Sequence, residues 1–160
     1  MKQLLNASYN YTMARIKYKK VNKLSREDSA YLGGLIDGEG TITLTRRHKG
    51  FNRYLGLTIS STERVLLEWT LRTVGVGTIT SKRTYSDKHS PSYTYQVFSQ
   101  QALDILEQVF KYLRTYKRKR ARLAMDNYDK LTPRNGKYSR EILVRRELFI
   151  KSFFEIKANK

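Results

Sequence analysis

Residues 32–40 read LGGLIDGEG and place two acidic side chains, Asp37 and Glu39, among closely spaced glycines. Gly33 and Gly34 each cost a helix about 1 kcal/mol relative to alanine, so a compensating interaction is expected there. Close approach of a second helix supplies one, and it would place both acids at the bottom of a tightly paired seam. A carboxylate beside the negative end of a helix dipole is repelled, and a bound divalent cation relieves that repulsion. The pattern therefore predicts a metal-binding carboxylate at a helix–helix contact.

Composition disfavours two other kinds of site. The 160-residue chain has no cysteine, which excludes disulfides and thiolate–metal centres. Its 2 histidines, His48 and His89, both lie in polar, turn-like sequence. A histidine-rich zinc site and a Ser-His-Asp triad therefore lose most of their support.

The charge balance points to a polyanionic partner. Lys and Arg total 32 against 14 Asp and Glu, which gives a formal net charge of +18. Because so large a charge repels itself unless a polyanion is bound, nucleic acid is the leading candidate, and basic residues spread for solubility are the alternative. No apolar run approaches the roughly 18 residues of a membrane span, and the N-terminus does not read as a secretory signal. We expect an intracellular protein with no membrane partner; the sequence leaves its compartment open.

Capping residues, alternation and glycine breaks predict the elements that must hold the two acids. The first predicted helix runs from a capping box at Ser25 to the glycines at 38–40, and strands 41–47 and 54–59 follow it. The second runs from a capping box at 60–63 to Gly75 and is followed by strands 77–83 and 92–98. Three more helices complete the chain: one capped by Ser99, one from the basic run 115–120 to about Leu131, and one from about Ser139. This order predicts an α+β domain with helices on one face of an antiparallel sheet.

The chain divides into three predicted segments. Residues 1–25 form a basic N-terminal arm, residues 26–131 the core, and residues 132–160 a C-terminal helical extension. The sequence leaves three roles open for the phenylalanines of the extension: covering the core, extending a dimer contact, or touching DNA.

The other face of the predicted sheet is rich in side chains that hydrogen bond to the edges of bases. A wide, basic, strand-built surface suits the DNA major groove, and an ordinary solvated sheet face is the alternative. Arg47 and Lys82 are candidates for guanine, and Asn52 and Gln96 for adenine. The predicted base readers are Thr43, Thr45, Arg47, Asn52, Arg53, Tyr54, Thr78, Thr80, Lys82, Thr94 and Gln96, and the predicted phosphate contacts are Arg118, Lys119 and Arg120.

Residues 32–40 resemble the nine-residue signature of the LAGLIDADG homing endonucleases. The positions that agree are Leu32, Gly34, Leu35, Ile36, Asp37 and Gly40. Gly33 and Gly38 stand where alanine is usual, and Glu39 replaces the second aspartate while keeping its acidity. Over residues 26–131 the order of elements is similar to the αββαββα core of that family, in which helices cover one face of a curved antiparallel DNA-binding sheet.

The resemblance implies roles for the two acids and for one lysine. Glu39 is similar to the ligand that holds Mg²⁺ at the scissile phosphate, assisted by the backbone carbonyl of Gly38; Mn²⁺ and Ca²⁺ are alternative ions. Asp37 resembles the first acidic position, which orients and caps the seam. Lys117 resembles a lysine that supports the attacking water or the phosphate charge. Plain phosphate contact and solvent exposure are the alternatives for Lys117.

A polar side chain just after the second strand completes the site that the resemblance implies. Ser61 is the candidate, ahead of Ser60 and Glu63. The implied catalytic set is therefore Glu39, Lys117, Asp37 and Ser61.

The resemblance implies a site-specific, metal-dependent endonuclease that hydrolyses both strands of DNA across the minor groove. One carboxylate cannot readily surround two metal ions, and the sequence contains one copy of the motif. We therefore expect a homodimer joined through the helix from Ala30 to Asp37, on a long, pseudo-palindromic site. An RNA intron maturase that binds intron RNA, and a catalytically silent nucleic-acid-binding protein, are the alternatives on the same fold.

Overall fold

The structure is a computed structural model that describes residues 19–81 and 90–158. Its elements are α1 (Arg26–Glu39), β1 (Gly40–Thr45), β2 (Tyr54–Ser61), α2 (Arg64–Val74), β3 (Thr78–Ser81), β4 (Tyr93–Phe98), α3 (Ser99–Val109), α4 (Tyr116–Asn127) and α5 (Arg140–Glu155), with a 3₁₀ turn at Phe110–Tyr112. The predicted αββαββα order is therefore present, and α4 and α5 follow it.

The four strands form one antiparallel sheet in the order β1-β2-β4-β3. Burial alternates along the strands and defines the two faces of the sheet: Ile42, Leu44, Ile59 and Val97 are buried, while the residues on either side of each are not. Helices α1, α2 and α3 pack on the buried face, and α4 contacts both α3 and β1. The predicted fold class, α+β with helices on one side of an antiparallel sheet, is confirmed.

Three local predictions differ from the structure. Strand β1 ends at Thr45, so Arg47 lies in the β1–β2 loop rather than in the strand. Ser60 and Ser61 belong to β2, where pairing with β4 replaces the predicted capping box. Ser99 does not cap α3, because it is the first helical residue and Phe98 occupies the cap position.

Residues 19–24 run along the helices rather than away from them. The backbone N–H of Asn22 donates to the Val74 oxygen at 2.9 Å, and that of Leu24 donates to the Gln108 Oε1 at 2.8 Å. Val21 and Leu24 also pack against the core. The division into arm, core and extension stays a prediction, and residues 1–18 of the arm lie outside the described residues.

Helix α5 completes the hydrophobic core. Phe153 is fully buried, Phe149 is 5% exposed, and Phe154 packs against the same cluster. Of the three open roles for this helix, core covering is therefore confirmed. None of the helices within 19–81 and 90–158 has the length and apolar character needed to cross a membrane.

Candidate active site and nucleic-acid interface

Gly33 and Gly34 are neighbours in sequence but have different surroundings. A Cβ atom at Gly33 would lie 2.7 Å from the Cβ of Tyr112, so Gly33 allows the 3₁₀ turn of the same chain to approach α1. A Cβ atom at Gly34 would meet nothing within 4 Å, and the same holds for Gly38. The expectation that both glycines serve one helix–helix seam is therefore wrong for Gly33, whose close contact lies within this chain.

Asp37 connects the end of α1 to the start of α4. Its carboxylate accepts hydrogen bonds from the backbone N–H of Arg114 at 2.5 Å and from the Thr115 hydroxyl at 2.6 Å, with a longer bond of 3.3 Å from the Thr115 N–H. Thr115 is itself the N-cap of α4. Asp37 therefore holds the end of α1 against the start of α4, and its partner Thr115 was not predicted from the sequence. The seam-capping role that the resemblance implied stays a prediction.

Lys117 is buried at the C-terminal end of α1, with 7% of its surface exposed. Its ammonium donates to the Ile36 carbonyl at 2.9 Å and to the Asp37 carbonyl at 2.8 Å. Burial lowers the pKa of Lys117, while the nearby charges of Asp37 and Glu39 oppose that shift. Because α1 has no basic residue in its last turn, Lys117 supplies the cation that stabilises the negative end of the helix. The interpretation of Lys117 as solvent-exposed is wrong.

Glu39 and Gly38 are both exposed at the junction of α1 and β1. The tight turn there needs Gly40, because a Cβ atom at that position would lie 2.7 Å from the Ile36 carbonyl oxygen. A carboxylate and a backbone carbonyl are hard oxygen donors, which suit Mg²⁺ or Ca²⁺. Within the described residues no group of three or more His, Cys, Asp or Glu side chains comes together. The donors of one chain fit a divalent cation in kind, and a second chain would supply more of them.

Ser60 and Ser61 end β2 with opposite orientations. Ser60 lies on the polar face, where its hydroxyl and that of Thr94 are hydrogen bonded at 2.9 Å. Ser61 shares the alternation of the buried residues and accepts a hydrogen bond from the Glu63 N–H at 3.0 Å. The assignment of Ser61 as a catalytic residue stays a prediction, and strand alternation gives Ser60 the position on the polar face.

Most of the predicted base readers share the polar face of the sheet. The pairing register sets Thr41, Thr58, Gln96 and Thr78 side by side across all four strands. The sequence list omitted Thr41 and Thr58, although their alternation with buried residues was visible. The predicted readers in the strands themselves are Thr43, Thr45, Tyr54, Thr78, Thr80, Thr94 and Gln96.

Three of the remaining predicted readers lie in the β1–β2 loop. Arg47 and Asn52 are exposed in the β1–β2 loop and line a shallow groove with Tyr54. Arg53 is half-buried, and its guanidinium donates to the Leu44 carbonyl at 2.8 Å, so this side chain is engaged within the chain. Lys82 lies outside the described residues.

The three predicted phosphate contacts lie on α4. Arg118 and Lys119 are exposed. Arg120 is half-buried instead, and it donates to the Ile42 carbonyl at 2.9 Å and to the Ile156 carbonyl at 3.0 Å. These bonds give Arg120 a role within the fold, and phosphate contact is better suited to its two exposed neighbours.

Several solved structures with this fold are homing endonucleases. The chain is similar to I-CvuI in complex with the I-CreI target (TM-score 0.64, 21% identity, 82% of this chain and 83% of that chain). It is also similar to I-SmaMI bound to an uncleaved DNA target in the presence of calcium ions (TM-score 0.62, 21% identity, 86% and 47% of the chains). A third match is the LAGLIDADG meganuclease I-AabMI bound to uncleaved DNA (TM-score 0.56, 21% identity, 82% and 50%). No protein-family model matches the chain. The chain therefore has the fold of LAGLIDADG homing endonucleases, and the resemblance inferred from residues 32–40 is confirmed at the level of the fold.

Proposed function

We propose that the chain is a site-specific, metal-dependent double-strand DNA endonuclease of the LAGLIDADG type. The observation that carries this proposal is the position of Glu39, an exposed carboxylate at the point where α1 meets the first strand of a threonine-rich sheet. A binding protein with a net charge of +18 has no need to keep an acid in the path of a polyanion. The shared fold with DNA-bound endonucleases supports the same conclusion.

Two neighbouring residues hold the helix that carries Glu39. Asp37 holds α1 against the start of α4, and the Lys117 ammonium binds the last carbonyls of α1. Glu39 and the carbonyl of Gly38 would hold the divalent cation, for which Mg²⁺ is our candidate. Such an ion, when bound, neutralises charge on the phosphoryl oxygens and activates water. We infer that Lys117 acts on this site through its charge, since its ammonium is already bonded to the Ile36 and Asp37 carbonyls.

We propose that the enzyme acts as a homodimer through the helix from Ala30 to Asp37. The exposed side of α1 carries Gly34 and Gly38, where added atoms would meet nothing within 4 Å, so the backbone is open to close approach. One chain supplies one Glu39, whereas cutting both strands needs two sites. The chain matches 83% of I-CvuI but only 47% of I-SmaMI, which fits a protein that provides half of a two-fold arrangement.

The test uses a randomised duplex library incubated with the protein in Mg²⁺, in Ca²⁺ and in EDTA. We expect double-strand breaks at one pseudo-palindromic sequence in Mg²⁺, read by sequencing the cut ends, and no breaks in EDTA. Selective binding in all three conditions with no cutting in Mg²⁺ would identify a catalytically silent binding protein instead.

The same protein is then challenged with intron RNA as a competitor for the selected duplex. An intron maturase should bind structured RNA at least as tightly as DNA at equal salt. We expect the duplex to be bound preferentially, and the reverse order would favour the maturase.

A further inference from the structure

Two arginine side chains hydrogen bond to the free edge of the sheet along β1. β1 is an edge strand, and alternate carbonyls of an edge strand point away from the sheet. Two such carbonyls, those of Ile42 and Leu44, accept hydrogen bonds from Arg120 at 2.9 Å and from Arg53 at 2.8 Å. The guanidiniums of Arg53 and Arg120 also stack over rings of α5. The edge that leads into the β1–β2 loop is therefore held by side-chain donors and backed by α5.

Arg146 on α5 makes a second connection to this loop. It is 3% exposed, and it donates to the Leu131 carbonyl at 2.6 Å and to the Thr132 hydroxyl at 2.8 Å. Its other terminal nitrogen donates to the backbone carbonyl of Arg53. One planar guanidinium thus ties α5 both to the turn after α4 and to the last loop residue before β2. A lysine has one nitrogen and lacks the rigid fork, so it would not reproduce this set of bonds.

Arg53 is consequently held at three points. Its guanidinium donates to the Leu44 carbonyl, Phe154 lies under that guanidinium with the ring centre 5.0 Å away, and Arg146 binds its backbone carbonyl. Asn52 is the adjacent residue, and Arg47 is at the other end of the same loop, both exposed for contact with a ligand. A binding group must stay within about 0.5 Å of its productive position to discriminate between partners.

We propose that Arg146 is a positioning residue for target discrimination: α5 holds the β1–β2 loop in the conformation in which Arg47 and Asn52 meet base edges. This inference rests on the proposed function, because it assumes that the loop faces DNA. It assigns α5 a role in specificity in addition to its role in the core.

The experiment compares Arg146→Met with Arg145→Met. Both variants remove one positive charge from α5 at adjacent positions, but Arg145 is exposed and pairs with Glu141 on its own helix. Cleavage rates are measured on a panel of all single base-pair substitutions of the selected target. The ratio of rates on two substrates does not depend on how much of the enzyme is folded, so simple destabilisation leaves it unchanged.

Two further variants assign the target positions to regions of the protein. Asn52→Ala marks the positions read by the loop, and Gln96→Ala marks those read by the sheet. We expect Arg146→Met to lose about tenfold in discrimination at the Asn52 positions, the scale of one lost base contact, and nothing at the Gln96 positions. Arg146→Lys should resemble Arg146→Met, and Arg145→Met should resemble the unmodified protein.

Unchanged ratios in Arg146→Met, or equal losses at both sets of positions, would overturn the proposal. If Arg146→Met does not fold, Phe154→Leu replaces it, because leucine keeps the apolar contact but removes the ring beneath Arg53. If the unmodified protein binds a target without cutting it, the proposed nuclease fails, and the same ratios are measured by binding competition in EDTA. If it selects no duplex at all, both proposals fail.

Discussion

The two faces of α1 carry similar residues in contrasting environments. On the inward face, Gly33 lies against Tyr112 and the Asp37 carboxylate accepts three hydrogen bonds from the segment that begins α4. Gly34 has open space around it, and Glu39 at the end of the helix is exposed. These two residues are five positions apart and point in different directions around the helix; we refer to them together as the outward face because both are exposed. Each face thus has one glycine and one acid, but among residues 19–81 and 90–158 only the inward pair has a close packing contact and hydrogen bonds. The difference shows that neighbouring positions of one motif can serve stability and activity separately.

This separation makes a general prediction about substitutions in residues 32–40. Changes on the inward face should alter the free energy of unfolding, since the contacts that they remove are already formed within one chain. Changes on the outward face remove no contact of the fold, so they should not lower the free energy of unfolding, and they should alter cleavage or association. The following substitutions test that division, beginning with the one expected to have the largest effect.

The first prediction concerns the two acids. Glu39→Gln should reduce the cleavage rate by at least about 100-fold, since the loss of even an outer-shell partner of a metal ligand costs about 10–100-fold. The free energy of unfolding should be unchanged or slightly raised, because the substitution removes a negative charge from the negative end of a helix. Cleavage is measured at saturating Mg²⁺, and DNA binding by competition in EDTA.

The matched variants for Glu39→Gln are Asp37→Asn, its inward counterpart, and Glu147→Gln, which removes an exposed carboxylate from α5. Asp37→Asn should lower stability, and Glu147→Gln should change neither property. If Glu39→Gln cleaved DNA at the rate of the unmodified protein, the Glu39 carboxylate would have no part in the reaction.

The second prediction concerns Gly33. The Cβ atom that Gly33→Ala introduces would lie 2.7 Å from the Cβ of Tyr112, an atom fixed to the backbone that cannot rotate away. Overpacking of this kind reduces the free energy of unfolding by up to about 3 kcal/mol. Urea denaturation measures the change. An unaltered midpoint would show that the 3₁₀ turn can move away from α1, and the inward face would then be less rigid than its contacts indicate.

The sequence predicted the elements that depend on local patterns. The Ser25 cap forms as expected, since its side chain accepts from the Asp28 N–H at 2.9 Å. The α2 end at Gly75 also forms, with the left-handed φ of 78° that favours glycine. Local pattern failed at Ser60, where pairing with Thr94 of another strand takes precedence over helix capping.

The sequence could not predict which face of α1 each motif residue would use. Asp37 binds Thr115, which lies 78 positions away along the chain, and Tyr112 meets Gly33 over a similar separation. Arg146 and Lys117 look like ordinary members of a basic chain, and only the folded structure shows that both are buried. In contrast, the sequence predicted that the helix ends within residues 38–40, and α1 does end at Glu39, because the flanking glycines define that end without a tertiary contact.

The third prediction concerns Lys117, which supports the inward face from α4. Lys117→Met should lower the free energy of unfolding by about 1–2 kcal/mol, because it leaves the Ile36 and Asp37 carbonyls without this donor. Lys119→Met, which removes the same charge from an exposed position of α4, should change it by less than about 0.5 kcal/mol.

The pH dependence of the Lys117 effect has a defined sign. Burial lowers the pKa of Lys117 in the folded chain below its ordinary value of 10.5, so between these two values the unfolded chain binds more protons. Stability from this group therefore rises with pH in that window. The stability difference between the unmodified protein and Lys117→Met should grow as the pH approaches 10.5. A difference that shrinks there would mean that the charged form is favoured in the fold.

The fourth prediction has the smallest expected effect and tests the outward face alone. Gly34→Ala should stabilise the isolated chain by about 0.5–1 kcal/mol, since alanine is the better helix former and its methyl group would meet no atom within 4 Å. If a second α1 packs on this face, the same methyl group should weaken dimerisation, and the larger Gly34→Leu should abolish it. Unfolding at concentrations below the dimer dissociation constant isolates the first effect, and sedimentation equilibrium at higher concentrations measures the second. Because the two effects have opposite signs, a dimer that tolerates Gly34→Leu would place the contact elsewhere, and the open glycine would then have no structural explanation.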